Sequence, residues 1–373
     1  MNSTVAKSDT KKSVCFRVDA SESIGLGHLM RCLTLADELK KNGYHILFLC
    51  KEITKKLSEK IRFKGYDISL LESDFIDKVN VKKGFQSIQL DQDIDGKKSL
   101  KALWGQEWDL LVVDHYGLDC RWEKEVRPVA RCLMVIDDLA NRKHECDILL
   151  DQSAQRKVQE YRQLVPSNCL ILTGSNYALL RSEFQNLRRQ YLNRQLKKEP
   201  SLKKILISLG GGDQTNHIVA ILNGLSQPVS SLTCSVIVIV GESDMDKIKS
   251  SAQGLDISVD LRQFSDDMAS LLLESDLVIG AAGTSAWERC CLGVPSIVLV
   301  LASNQLDNAK VLLDRKAAII IPSLNQIEEK LTKVIEELIQ FPDQLKKLAH
   351  AASQLVDGKG VVLVERKIKS ILC

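Results

Sequence analysis

Apolar runs of four to seven residues recur along this chain, each closed by glycine, serine or aspartate and followed by a stretch with helical spacing. The first instance sets the pattern. VCFRV at 14 to 18 reads as a short strand; Leu29, Cys32, Leu33, Leu35, Ala36 and Leu39 then recur at helical spacing up to Lys40. Gly43 ends that helix and HILFLC at 45 to 50 reads as a second strand, which makes a βαβ unit with the usual right-handed crossover. Strands that are apolar throughout, without alternation, are those of a parallel sheet covered on both faces.

The pattern continues through DLLVV, CLMVI, CDILL and LILT to about residue 185, and restarts with ILISL at 205, CSVIVIV at 234, DLVIG at 276, SIVLVL at 296 and AAIII at 317. HIVAILNGL and MASLLLE supply helical stretches between them. The predicted fold class is therefore α/β: two doubly wound Rossmann-like lobes facing a cleft, where ligands of such sheets bind. The expected division is a disordered tail over 1–12, an N-terminal lobe over 13–185, a charged basic linker with Pro200 over 186–203, and a C-terminal lobe over 204–373. Residues 51 to 108, rich in Lys and Asp, resist assignment.

Composition narrows the class. A chain of 373 residues suffices for two cores, and its 51 basic and 48 acidic residues are spread without a basic stripe, which argues against nucleic acid as a partner. The polar start MNSTVAKSDTKK and the lack of a run of about 18 apolar residues predict a cytoplasmic protein with no membrane partner. Eleven cysteines sit mostly in apolar runs, so reduced core thiols are expected, and no C-x-x-C pair suggests zinc.

Candidate chemistry gathers at two turns. Gly25-Leu26-Gly27-His28 places an imidazole where a strand feeds a helix N-terminus, whose dipole favours the neutral ring able to accept a proton. A cap or phosphate contact is the competing role for His28. Leu29 and Met30 follow in place of a third glycine, so NAD is disfavoured. In the second half, Gly283-Thr284-Ser285 follows a strand and opens a helix, a turn that offers N–H and hydroxyl donors to a diphosphate, with Glu288 one turn on to accept from a ribose. A plain N-cap with Glu288 as capping-box partner is the alternative. Gly210-Gly211-Gly212 marks a close approach or a hinge, with Asp213 and Asn216 as turn and cap residues. Arg17, Asp19 and Arg31 flank the first turn and either bind a sugar or form local ion pairs. Asp114, Asp137, Asp138 and Asp151 end strand-like runs, where carboxylates hold a metal, cap helices, or orient His115 and Tyr116.

The runs RVDASESIGLGHLMRCLTLADEL, VVDHYGLDCRWE, VIDDLANRKHECDILLDQ, YALLRSEF, SLGGGDQTN and IGAAGTSAWERCCLGVPSIVLVLASNQ, in this order, resemble the UDP-2,4-diacetamido-2,4,6-trideoxy-β-L-altropyranose hydrolases of pseudaminic acid (nonulosonic acid) biosynthesis, relatives of the GT-B glycosyltransferases. The resemblance implies a GT-B-like fold, with the sugar held by the N-terminal lobe and the nucleotide by the C-terminal lobe, and a hydrolase in which His28 activates water. It implies Tyr116 and Asn304 near the sugar, catalytic candidates with His28, and Gly283, Thr284, Ser285 and Glu288 around the nucleotide. Gly25, Gly27, Arg17, Asp19, Arg31 and Gln305 complete the expected substrate-binding set. The resemblance implies no metal, no cofactor and no obligate protein partner. Ser303 replaces an expected acidic residue, Gly212 an expected threonine, and the stretch from 71 to 100 is longer than in the family. The rivals are a GT-B nucleotide-sugar glycosyltransferase and a non-catalytic nucleotide-sugar binding module.

Overall fold

The structure, a computed structural model, describes residues 12–21, 26–72, 91–197, 199–226, 234–241, 243–263, 265 and 267–372. The expected tail up to residue 11, Gly25 and most of the long stretch near 71 to 100 lie outside the described residues. The chain divides into two compact units. One runs to Leu150 and takes in Val158–Leu172 and the residues from Val364 on; the other holds Asp151–Lys157 and Thr173–Leu363.

The first unit is built on a seven-stranded sheet of β1 (Ser13–Val18), β2 (His45–Cys50), β3 (Asp67–Leu70), β4 (Trp108–Asp114), β5 (Ala130–Ile136), β6 (Ile148–Asp151) and β7 (Leu170–Thr173), ordered β3-β2-β1-β4-β5-β6-β7. Pairs from β3 to β6 are parallel. The second sheet holds β8 (Lys204–Ser208), β9 (Ser235–Ile239), β10 (Ser258–Arg262), β11 (Leu277–Ala281), β12 (Ser296–Leu299) and β13 (Ile319–Ile321), all parallel, ordered β10-β9-β8-β11-β12-β13. In both sheets the first strand sits in the middle and the order reverses beside it. In open α/β sheets ligands bind beside such a reversal, which here falls at the carboxyl ends of β1 and β4 and of β8 and β11.

The apolar strands were legible because both of their faces are covered. In the second sheet Ile205, Ile207, Val236 and Ile279 pack into one core and Leu206, Val278 and Val298 into the other, so successive residues alternate between two interiors. The edge strands β3 and β10 were not anticipated. Their residues are all exposed or half-buried, which leaves no continuous apolar run.

Two boundaries need correction. Residues 186–203, expected as a linker, belong largely to a helix, Ser182–Lys197, inside the second unit. Phe184 and Tyr191 are fully buried with Leu187 packed beside them, so the helix shows one face to the core. Arg189 is exposed, whereas the Arg188 guanidinium donates to the carbonyls of Ser353, at 2.7 Å, and Val356, at 3.0 Å. The end of the chain also does not stay with the C-terminal lobe, since residues from Val364 pack with the first unit. All ten described cysteines are free thiols, eight of them buried.

Candidate functional site

In the first unit the helix Gly27–Lys41 starts just beyond β1 with no side chain capping it, and His28 is its second residue. The sheet register sets Val18 beside Asp114, so the last residue of β4 lies against the start of that helix. The His28 Nδ1 is 2.5 Å from Asp114 Oδ1. Arg31, one turn along, donates through Nε to Asp114 Oδ2 and through Nη2 to Oδ1, both at 2.6 Å, and through Nη1 to Asp138 Oδ2 at 3.1 Å. Asp138 accepts from the Tyr116 hydroxyl at 2.8 Å, and the Tyr116 ring stands edge-on to the imidazole, with centroids 4.5 Å apart and planes at 87°.

Electrostatics fix what this cluster can do. Burial alone pushes the Asp114 carboxyl up, but Arg31 and then His28 outweigh it and hold it well below the usual carboxylate range. An ionised Asp114 accepts, so Nδ1 carries the proton and the lone pair of the neutral ring lies on Nε2. This is the geometry of a general base with an orienting carboxylate. The sequence offers Asp114 as a strand-end carboxylate for a metal, for a helix cap, or to orient His115 and Tyr116; its partner is His28, 86 residues away in the chain. Knowing that β4 neighbours β1 would have found it.

Arg17 and Asp19, expected at the sugar, turn inward. Arg17 is fully buried and its guanidinium donates to Asp19 at 2.6 Å and to Asp95 at 2.9 Å, while Asp19 also accepts from the backbone N–H of Lys51 at 2.7 Å. The local ion pair, weighed against sugar binding, is what the fold uses. Arg31 is likewise engaged by two carboxylates and buried. The remaining strand-end carboxylates are also committed: Asp137 to Arg142 at 2.8 Å and the Tyr161 hydroxyl at 2.9 Å, Asp151 to Arg156 at 2.7 Å. Among the described residues no cluster of three or more metal-ligating side chains occurs. A Cβ on Gly27 would meet nothing within 4 Å, so the helix start is open there.

In the second unit β11 leads through Ala282 and Gly283 into the helix Ser285–Leu292, which ends at Gly293 in the left-handed conformation. Thr284 occupies the cap position with no side-chain cap bond, so the capping-box alternative does not hold. Glu288 instead lies 3.9 Å from Arg181, and its pKa is pushed up to about 7 by burial, which Arg181 and Arg289 only partly offset. Gln305, in the short 3-10 turn Ser303–Gln305 after β12, accepts from the Leu301 N–H at 3.1 Å and holds its amide nitrogen 3.8 Å from where a Gly283 Cβ would stand. Asn304 is exposed in the same turn. Asn308 Nδ2 donates to Ala282 O at 3.1 Å.

The structure thus gathers His28, Arg31 and Tyr116 in the first unit, and Gly283, Thr284, Ser285, Glu288 and Gln305 around one strand end in the second. Sequence reasoning missed Arg181, Asn308 and Arg289 there. The triple-glycine loop after β8 uses Gly210 and Gly212 at positive φ, and Asp213 accepts from the Thr215 N–H at 2.9 Å, the turn-and-cap role anticipated for it. Asn216 accepts from Lys247 at 2.8 Å.

Two units, each built on a parallel sheet, make a GT-B-like fold, and the comparisons agree. Residues 188–361 match the glycosyltransferase family 28 C-terminal domain. The structure of MurG from Acinetobacter baumannii superposes with a TM-score of 0.69 at 15% identity, covering 96% of this chain and 99% of that one. In sequence the chain is 27% identical over 298 residues to the UDP-2,4-diacetamido-2,4,6-trideoxy-β-L-altropyranose hydrolase of Campylobacter jejuni, covering 79% of this chain and 94% of the relative. It is 26% identical over 293 residues to an uncharacterized protein of Methanocaldococcus jannaschii, covering 77% of this chain but only 55% of that longer relative. Among the described residues no helix is long and apolar enough to cross a membrane.

Proposed function

We propose that this chain is an enzyme acting on UDP-sugars, a hydrolase that releases UDP from a UDP-linked 2,4-diacetamido-2,4,6-trideoxy sugar of the β-L-altropyranose type. The observation that carries the reading is the Asp114-bound imidazole of His28, with its second nitrogen available to a water molecule. The similarity to the Campylobacter hydrolase, running over most of both chains, supports the substrate class.

In this mechanism the water oxygen forms a bond to C1 of the sugar while its proton passes to His28 Nε2. The C1–O bond to the β-phosphate breaks, its electron pair leaves with UDP, and attack opposite the leaving group inverts the anomeric centre. A diphosphate is a good leaving group, so no carboxylic acid is required to protonate it, in contrast to ordinary glycosidases. The reading assigns the base to His28, with Asp114 holding its tautomer and Tyr116 and Asp138 shaping its surroundings. It assigns the N–H and hydroxyl donors of Gly283, Thr284 and Ser285 to the departing charge, Glu288 to the ribose, and Asn304 and Gln305 to the sugar. No metal or cofactor enters the scheme.

The family 28 match favours one rival, a glycosyltransferase that uses the same turn and passes the sugar to an acceptor. Incubating the protein with a panel of UDP-sugars, without acceptor and with chelator, while following UDP release and anomeric configuration by NMR, separates the two. Rapid acceptor-free release with inversion from the 2,4-diacetamido sugar is expected. Release only when an acceptor is added would overturn the hydrolase reading.

A further inference from the structure

Arg289 is buried, 3% exposed, and is held differently from the other buried arginines described above. Its Nη2 donates to the Ala281 carbonyl at 2.6 Å, its Nη1 to the Ser285 hydroxyl oxygen at 3.3 Å, and its Nε has no partner. Among the described residues no carboxylate lies within ion-pair distance of it. Burial pushes its pKa down to about 10, which Cys290 and Glu288 only partly offset. Isolated buried charge is costly, several kcal/mol per ion, and folded proteins ordinarily pair it. Room for the guanidinium has also been kept: a Cβ on Gly280 would stand 2.8 Å from Nη1 and 3.0 Å from the Ser208 carbonyl.

The charge lies beneath the end of β11 and the first turn of the helix Ser285–Leu292. That helix start has no side-chain cap, and the guanidinium occupies the acceptor side of the Ser285 oxygen. The hydroxyl proton of Ser285 is then directed outward as a donor. Dipole, hydroxyl and buried cation all favour an anion at one turn.

Resting on the nucleotide reading above, we propose that Arg289 is the built-in countercharge for the diphosphate at the Gly283–Ser285 turn, a positioning residue that acts through the Ser285 hydroxyl and the Ala281 carbonyl and makes the turn select a diphosphate over an uncharged nucleoside. Occupancy of the turn completes a charge pair that the empty protein lacks. The same countercharge meets the negative charge that develops on UDP as the C1–O bond breaks.

The test compares wild type, Arg289→Met and Arg289→Lys by thermal melting with and without inorganic pyrophosphate, and by calorimetric titration with UDP and with uridine. Met removes an unpaired buried charge, so the melting temperature without ligand is expected to hold or rise. The pyrophosphate-induced shift is expected to vanish, and the preference for UDP over uridine to fall by about tenfold or more. Lys keeps the charge and is expected to retain part of both. A pyrophosphate shift and a UDP preference that survive in Arg289→Met, whatever its melting temperature, overturn the assignment. If Arg289→Met does not fold, Ser285→Asp answers the same question: a carboxylate supplied 3.3 Å from the guanidinium is expected to raise the melting temperature and cancel the pyrophosphate shift, and an unchanged shift overturns the proposal. A wild-type protein that binds neither UDP nor pyrophosphate overturns the nucleotide reading itself, before Arg289 is in question.

Discussion

Arg31 and Arg289 are both buried arginines near the carboxyl end of a sheet, and their surroundings are opposite. Arg31 sits between two carboxylates, and its neighbours Asp114 and His28 are locked with it into one hydrogen-bonded set. Arg289 has a carbonyl, a hydroxyl and no counterion. The first arrangement fixes a side chain in one orientation, which is what a base aimed at one proton requires. The second leaves charge unbalanced, which is what a binder of an anion requires. The acids follow the same division: Asp114 is held well below its ordinary range, whereas Glu288 is pushed up to about 7.

The sharpest way to break this comparison is at the base. His28→Ala is expected to lower kcat by about 10²- to 10⁴-fold with UDP binding retained, checked by steady-state UDP release and calorimetry. Unchanged turnover removes His28 from the scheme. Asp114→Ala strips Arg31 of its main partner, and breaking one side of a buried pair is expected to destabilise the fold by about 3–5 kcal/mol in urea melts, where Arg289→Met shows no such loss. Equal losses at the two arginines would erase the distinction drawn between them.

Acidity probes the same contrast with opposite signs. Asp114 has a folded pKa below its unfolded value of 3.8, so its contribution is present above that value and is lost as pH falls through the folded one. Glu288 is raised. Between 4.5 and about 7 the unfolded chain ionises it while the folded chain keeps the proton, so stability falls as pH rises across that interval. Melting curves of Glu288→Gln against wild type are expected to differ progressively over that window and to run parallel outside it. The smallest effect is expected at Thr284→Ala. Capping threonines are typically worth ~1 kcal/mol, but Thr284 makes no cap bond, so a loss under ~0.5 kcal/mol is expected, together with weaker UDP binding.

How much of this was legible beforehand follows from where each signal resides in the chain. His28 and the Gly283 turn are legible because each lies in one short stretch of sequence, where a strand has ended and a helix starts. Asp114 and Arg289 are not. Asp114 becomes the partner of His28 only once β4 is known to lie beside β1, a fact of strand order that local spacing does not encode. Arg289 reads as one more charge on an amphipathic helix until Gly280 is seen to make space for it. The same holds for the fold: doubly covered strands stand out as apolar runs, whereas β3 and β10, half in water, and the Ser182–Lys197 helix, rich in basic residues, resemble loop and linker to any reading that averages composition.

The grouping of residues from Val364 on with the first unit has a consequence for biosynthesis. Lys12, just before β1, donates to the Leu372 carbonyl at 3.2 Å, so the first unit is completed by helical turns that come after the intervening unit in the chain. On the ribosome the first unit stays unfinished until the intervening one has emerged. Truncation before Val364 should therefore injure the unit whose synthesis begins first.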